Sequence, residues 1–211
     1  MLYTTLAKLH EVSDCQDTFK LLATQLGGIE AYGVDTLIPL DKILDLLGLE
    51  DALCCLQATT KNEDALNRVL VCDYAERVLP IFEQKYPGDK RPRQAIEVSR
   101  LYARGQASQQ ELLDAFVDAH AAASTYADVA YAAAPSATYA AVVSAAARDA
   151  AYAASSAPSY KVASFTVHAA NFAVCAVGFA ALADGDAASV AAQANERKWQ
   201  TQHFIEMIKG D

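Results

Sequence analysis

The chain reads as an all-α protein, a multi-helix bundle with short N-terminal helices and a long alanine-rich C-terminal half. Apolar residues recur at helical spacing almost throughout, while runs of alternating β-branched and polar residues are nearly absent. About one residue in five is alanine, most of them after Ala115, and alanine has the best intrinsic helix propensity. Glycine and proline mark the boundaries, at Gly27-Gly28, Gly48, Pro87-Gly88, Gly105, Pro135, Pro158 and Gly185. With 211 residues, 53% of them hydrophobic, the chain can bury a sizeable core as one domain, 1–211, and is short for two. Within it a helical half over 1–105 precedes the alanine-rich half over 106–211.

The elements follow from these signals in order. From Leu2 to Leu26 the apolar positions are Leu6, Leu9, Phe19, Leu22 and Leu26, interrupted at Ser13 and Asp14, which can cap a second helix. Gly27 and Gly28 end it, and residues 29–39 read as a connector. A short helix over 40–47 stops at Gly48, and another runs from Glu50 to about Ala58. Residues 62–86 read as one long helix or two in series, because Pro80 lacks a backbone donor and strains the preceding turn, which predicts a kink near Leu79. After the Pro87-Gly88-Asp89 turn, Pro92 sits in the first turn of a helix reaching Ala103, with Gly105 ending it. Ser108-Gln109-Gln110-Glu111 is a capping box, with the serine oxygen taking a backbone donor and the glutamate reaching back to the serine amide. Four helices then follow, over 109–134, 136–156, 159–183 and 186–208. Tyr126, Tyr139 and Tyr152 recur at a constant interval, but the prolines break their register, so a small-residue bundle explains them better than a solenoid. Alanine faces let helices approach closely, and the larger side chains lock the packing.

Composition narrows the function. Lys+Arg number 17 against 26 Asp+Glu, a formal net charge of −9 with a pI near 4.9. Nucleic acid and anionic membranes would repel such a chain, so direct nucleic-acid binding is not expected. The opening residues lack the basic start and apolar centre of a secretory signal, and the five cysteines form no spaced CxxC pairs. A cytoplasmic protein with reduced thiols is expected. The uncharged stretch from Ala163 to Leu182 has spanning length, but Ser164, Thr166, His168 and Asn171 make it a bundle helix rather than a membrane helix.

Charged residues concentrate in one region. Asp73, Glu76, Arg77 and Glu83 lie opposite Leu70, Tyr74, Val78 and Phe82 on one helix, and Asp73 and Arg77 have the acid-first i,i+4 order of a pair. Between Lys85 and Arg104 six basic residues, including Arg91, Arg93 and Arg100, face only Asp89 and Glu97. Such a cluster beside a helix start can bind an anion, or its arginines can pair with the acidic helix before it. Metal chemistry fails on spacing: no histidine follows a glutamate at Glu-x-x-His, no HExxH occurs, and adjacent Cys54 and Cys55 with Cys72 suit buried thiols better than zinc. P-loop, GxGxxG and GxSxG motifs are absent, and no cofactor is implied. His168 and Asn171 on an apolar helix point either to a small pocket or to satisfied core polar groups. Trp199, with Phe204 and Ile208, is expected to clamp the last helix to the body.

Three stretches together, IPLDKILDLLGLEDALCCLQA (38–58), VCDYAERVLPIFEQKYPGDKRPRQAIEVSRLYARG (71–105) and ERKWQTQHFIEMI (196–208), resemble bacterial and prophage immunity proteins of polymorphic toxin systems. The central block is the most specific part. Members of that family usually carry tryptophan and arginine where this chain has Cys54 and Gln57. The resemblance implies an all-helical, non-enzymatic protein that neutralises a toxin by binding it. Family-type residues present are Asp73, Glu76, Arg77, Asp89, Arg91, Pro92, Arg93, Glu97 and Arg100, which suit either an internal polar network or a partner interface. An acidic surface would steer the chain toward a basic target. The alternatives are a phage-encoded inhibitor of a host defence system, acting like an anti-CRISPR protein by occlusion, a self-associating module, and an enzyme using Asp73 and Glu76 with Arg91 and Arg93.

Overall fold

The computed structural model describes residues 1–60, 64–133 and 159–210. These form ten α-helices, three 3₁₀ turns and one two-stranded ladder. Strand β1 (Tyr3–Thr4) leads to α1 (Leu6–Glu11), a 3₁₀ turn at Ser13–Cys15, α2 (Gln16–Gln25) and α3 (Ile29–Tyr32). Strand β2 (Ile38–Pro39) precedes α4 (Leu40–Leu47) and α5 (Leu49–Cys54), which tightens into a 3₁₀ turn over Cys55–Ala58. The long helices are α6 (Asp64–Lys85), α7 (Arg91–Ala103), α8 (Gln109–Ala133), α9 (Ser159–Ala181) and α10 (Asp186–Lys209), the last two joined by a 3₁₀ turn at Leu182–Asp184. No helix among the described residues is long and apolar enough to cross a membrane.

Local chemistry accounts for most boundaries. Thr5 opens α1 by accepting the Lys8 amide at 3.2 Å. Gly48, at φ +94°, is both the end of α4 and the start of α5, a conformation that a side chain would strain, and so two short helices meet at a sharp turn. Ser108 and Glu111 form the expected reciprocal cap: the Ser108 amide donates to Glu111 Oε2 at 2.7 Å and the Glu111 amide to Ser108 Oγ at 3.2 Å. Helix α6 continues through Pro80 as one element. The predicted connector over 29–39 instead contains α3 and β2. Tyr3 pairs with Pro39 and Thr4 with Ile38, while Thr4 Oγ1 donates to the Ala58 carbonyl at 2.6 Å. Helical periodicity cannot reveal so short a ladder, because its pairing is entirely non-local. The expected helix over 136–156, with Tyr139 and Tyr152, and the side chain of Tyr126 lie outside the described residues.

Helix α9 is the centre of the packing. It meets α6 and α10 along their lengths and α5 with its 3₁₀ extension on a further side, while α7 packs on α6 and α8 on α7. Ala169, Ala170, Ala173 and Ala176 of α9 are fully buried, so small side chains let three helices crowd around one axis. Larger residues fill the spaces between: Tyr74, Val78 and Phe82 of α6 and Phe204 and Ile208 of α10 are buried. The N-terminal helices add Leu6, Leu9, Leu22, Ile43 and Leu53 to the same core.

Phe204 is fully buried and Val190, on the same helix, is 66% exposed. Phe204→Ala is expected to cost about 3–5 kcal/mol in urea unfolding, and Val190→Ala to stay within about 0.5 kcal/mol. Equal effects at the two positions would contradict this packing of α10.

Candidate functional site

Helix α10 carries a buried stripe of Ser189, Glu196, Gln200, Phe204 and Ile208 at steps of mostly four residues. Its first part is polar, so packing α10 into the bundle brings groups that must be met by hydrogen bonds. The Gln200 side-chain amide donates to the Ala170 carbonyl of α9 at 2.9 Å and to Glu196 Oε1 at 3.3 Å. Tyr74 of α6 donates its hydroxyl to the Gln200 carbonyl at 3.3 Å. Arg197 donates to Gln200 Oε1 at 3.2 Å and to Asn171 Oδ1 at 2.6 Å. Three helices are thereby held in register by one turn of α10.

Asp73 joins a third partner to this arrangement. Its carboxylate accepts from Arg100 of α7 at 2.6 Å and lies 2.8 Å from His203 Nε2 of α10. Arg100 also reaches Glu76 at 2.5 Å. His203 stacks on Trp199, with ring centroids 5.0 Å apart and planes 8° from parallel, and Tyr74 meets both rings edge-on. Arg77 lies over the Trp199 ring, 4.8 Å from its centroid, and bonds Glu196 at 3.3 Å. The expected Asp73–Arg77 pair along α6 is therefore not made. Each residue turns to another helix, where a half-buried charged bond outweighs an exposed i,i+4 pair worth about 0.3–0.5 kcal/mol.

The remaining charged residues form the outer edge. Arg93 makes a two-point contact with Glu83, at 2.5 and 2.6 Å, and Arg91 does the same with Asp89, at 2.6 and 2.9 Å. Asp89 also accepts the Arg91 amide at 3.1 Å, which anchors the start of α7. Glu97 is exposed on α7. The structure thus brings Asp73, Glu76, Arg77 and Arg100 into the interhelical network, puts Asp89, Arg91 and Arg93 in paired contacts at the α6–α7 turn, and leaves Glu97 on the surface.

Sequence reasoning missed the α10 side of this site. Glu196, Gln200 and His203 recur at i, i+4 and i+7, on or beside the stripe of Phe204, and polar residues at core spacing were the available signal. Trp199 is half-buried between Arg77 and His203, and the apolar clamp is made by Phe204 and Ile208. His168 is exposed, and Asn171 is half-buried on Arg197. Cys55 and Cys72 are buried, and burial pushes the Cys72 thiol up to about 12. Cys54 lies beside Cys15 instead.

Two carboxylates of the region titrate in opposite directions. The Arg93 guanidinium, bonded to Glu83, holds that carboxyl below its usual range. Burial raises Glu196, with Arg77 and Gln200 acting against it. Glu83 thus contributes stability above the unfolded carboxylate pKa of about 4.3, lost as pH falls. Glu196 binds its proton more readily when folded, so its contribution is present at low pH and lost as pH rises through the folded value.

Residues 68–207, more than half of the chain, match the family model of the Imm-5 like putative immunity protein, and the chain belongs to that family. No curated protein and no solved structure matches it. The matched segment contains the whole interhelical network.

Urea unfolding across pH checks the electrostatics. Glu83→Gln is expected to destabilise at neutral pH by a margin that closes below about pH 4, whereas Glu196→Gln is expected to gain on the parent chain as pH rises from about 4 to 7. Parallel stability profiles for the two variants and the parent would contradict the opposite titrations.

Proposed function

We propose that this member of the immunity family acts by binding: it forms a stoichiometric complex with a protein toxin and blocks the toxin's functional surface. The observation that carries this reading is the family match over 68–207, which runs from near the start of α6 through most of α10. In this reading Asp73, Glu76, Arg77 and Arg100 hold the helices in place rather than meet substrate. Arg77 bonds Glu196, Asp73 meets His203 and Arg100, and Arg100 also meets Glu76. Residues engaged in such bonds stiffen a surface, which lowers the ordering cost of association.

The contact face is proposed on α8, within the matched segment. Leu113 and Val117 are 46% and 55% exposed there, and Glu111, Asp114 and Asp118 are exposed on the same helix. Apolar residues interleaved with carboxylates suit a partner surface that is basic at its rim and apolar at its centre. The net charge of −9 adds long-range attraction to such a target.

Capture of the toxin by the tagged chain, with loss of toxicity in the complex, tests the reading. Reversing Asp114 and Asp118 to lysine is expected to slow association at least about tenfold at low salt, with the unfolding temperature unchanged. A folded D114K/D118K variant that associates at the parental rate, or an association rate insensitive to salt, would remove the proposed face. A chain that leaves the toxin active would remove the binding reading itself.

A further inference from the structure

Cys15 closes the 3₁₀ turn before α2, and Cys54 is the last residue of α5. Their sulfurs lie 3.2 Å apart, and Cys15 Sγ is also 3.4 Å from the Cys54 carbonyl oxygen, to which it donates. Gln57, one turn on from Cys54, donates its amide to both sulfurs, at 3.1 and 3.3 Å. Cys15 is fully buried, whereas Cys54 is half-buried and lines an open cavity of about 310 Å³ with Gln57, Asp51 and His168. Two thiols on separate elements therefore meet at the floor of a solvent-connected pocket, one within reach of solutes and one behind it.

We propose that Cys15 and Cys54 are a dithiol site that small-molecule disulfides convert to an intramolecular disulfide. Cys54, as its thiolate, attacks one sulfur of the disulfide RS–SR. The Cys54–SR bond forms, the RS–SR bond breaks, and RS⁻ leaves to take up the proton that Cys54 released. Cys15 then attacks the Cys54 sulfur: the Cys15–Cys54 bond forms, the Cys54–SR bond breaks, and the second RS⁻ takes the proton of Cys15. Two protein thiols are oxidised and one RS–SR is reduced to two RSH.

The geometry sets the order of events. Only Cys54 faces the cavity, so it meets the oxidant first, and Cys15 resolves the mixed disulfide from behind. The neighbouring Cys54 sulfur and burial push the Cys15 thiol well above its ordinary range, which disfavours Cys15 as the first nucleophile. The Gln57 amide sits where it can donate to the charged sulfur of either step. Bonding requires the sulfurs to close by about an ångström, to the roughly 2.05 Å of an S–S bond. The product would fasten the start of α2 to the end of α5, which Thr18 and Asp51 already bridge with a hydrogen bond of 2.5 Å.

The 211-residue chain carrying Cys175→Ser, which removes an exposed thiol, is incubated with oxidised glutathione and mapped by mass spectrometry of its peptides. The expected product has lost two hydrogens, joins the Cys15 and Cys54 peptides, retains no glutathione and is reversed by dithiothreitol. Stable glutathione on Cys54, or both cysteines still reduced under oxidant excess, would overturn the proposal. In the same background Cys15→Ala, checked for parental circular dichroism, is expected to accumulate glutathione on Cys54. An unmodified Cys54 in that folded variant would likewise overturn it. The mapping of the chain with both cysteines intact stands whether or not the variant folds.

Discussion

Burial of polar groups on α10 is the constraint on which the C-terminal half depends. A stripe that includes Glu196 and Gln200 can enter a bundle only where neighbours supply partners for every buried group. A backbone carbonyl at Ala170, the Tyr74 hydroxyl and the guanidinium groups of Arg77 and Arg197 do so. Sliding α10 by one residue would separate these partners and also turn Phe204 and Ile208 out of the core. The polar groups therefore help to fix the register of α10, together with Phe204 and Ile208.

Alanine and the network have complementary roles. The fully buried alanines of α9 allow close approach but offer few shapes that distinguish one alignment from another. Asp73 supplies that distinction by meeting Arg100 on one side and His203 on the other, which ties α7 to α10 through α6. Trp199 and His203 then stack in parallel beneath Arg77, so the same residues that satisfy charge also fill space. The N-terminal layer is joined mainly through apolar side chains, with Arg197 also reaching Glu50 of α5 at 3.5 Å, while Thr18 and Asp51 bond within that layer.

Much of this was legible in the amino-acid order. The Ser108 capping box, the glycine stops at Gly48 and Gly105, and the start of α7 at Pro92 are local signals, and the helices begin and end where those signals stand. Arg91 and Arg93 pair with acids of the preceding helix and turn, one of the two readings open for that cluster. Partner choice was less legible, because it depends on which helices become neighbours. Asp73 had an eligible arginine four residues away and took one 27 residues away instead, because interhelical packing half-buries that contact. The β1–β2 ladder and the meeting of Cys15 with Cys54 are of the same kind: both join segments more than 30 residues apart with no periodic trace in either.

A double-mutant cycle on Asp73 and Arg100 tests most directly that interhelical polar bonds hold this family member's helices together. Asp73→Ala, Arg100→Ala and the double variant are unfolded in urea at neutral pH. The account predicts a coupling free energy of about 1–3 kcal/mol, above the range of exposed ion pairs. Additive effects, with coupling near zero, would contradict it and leave apolar packing as what aligns α6, α7 and α10.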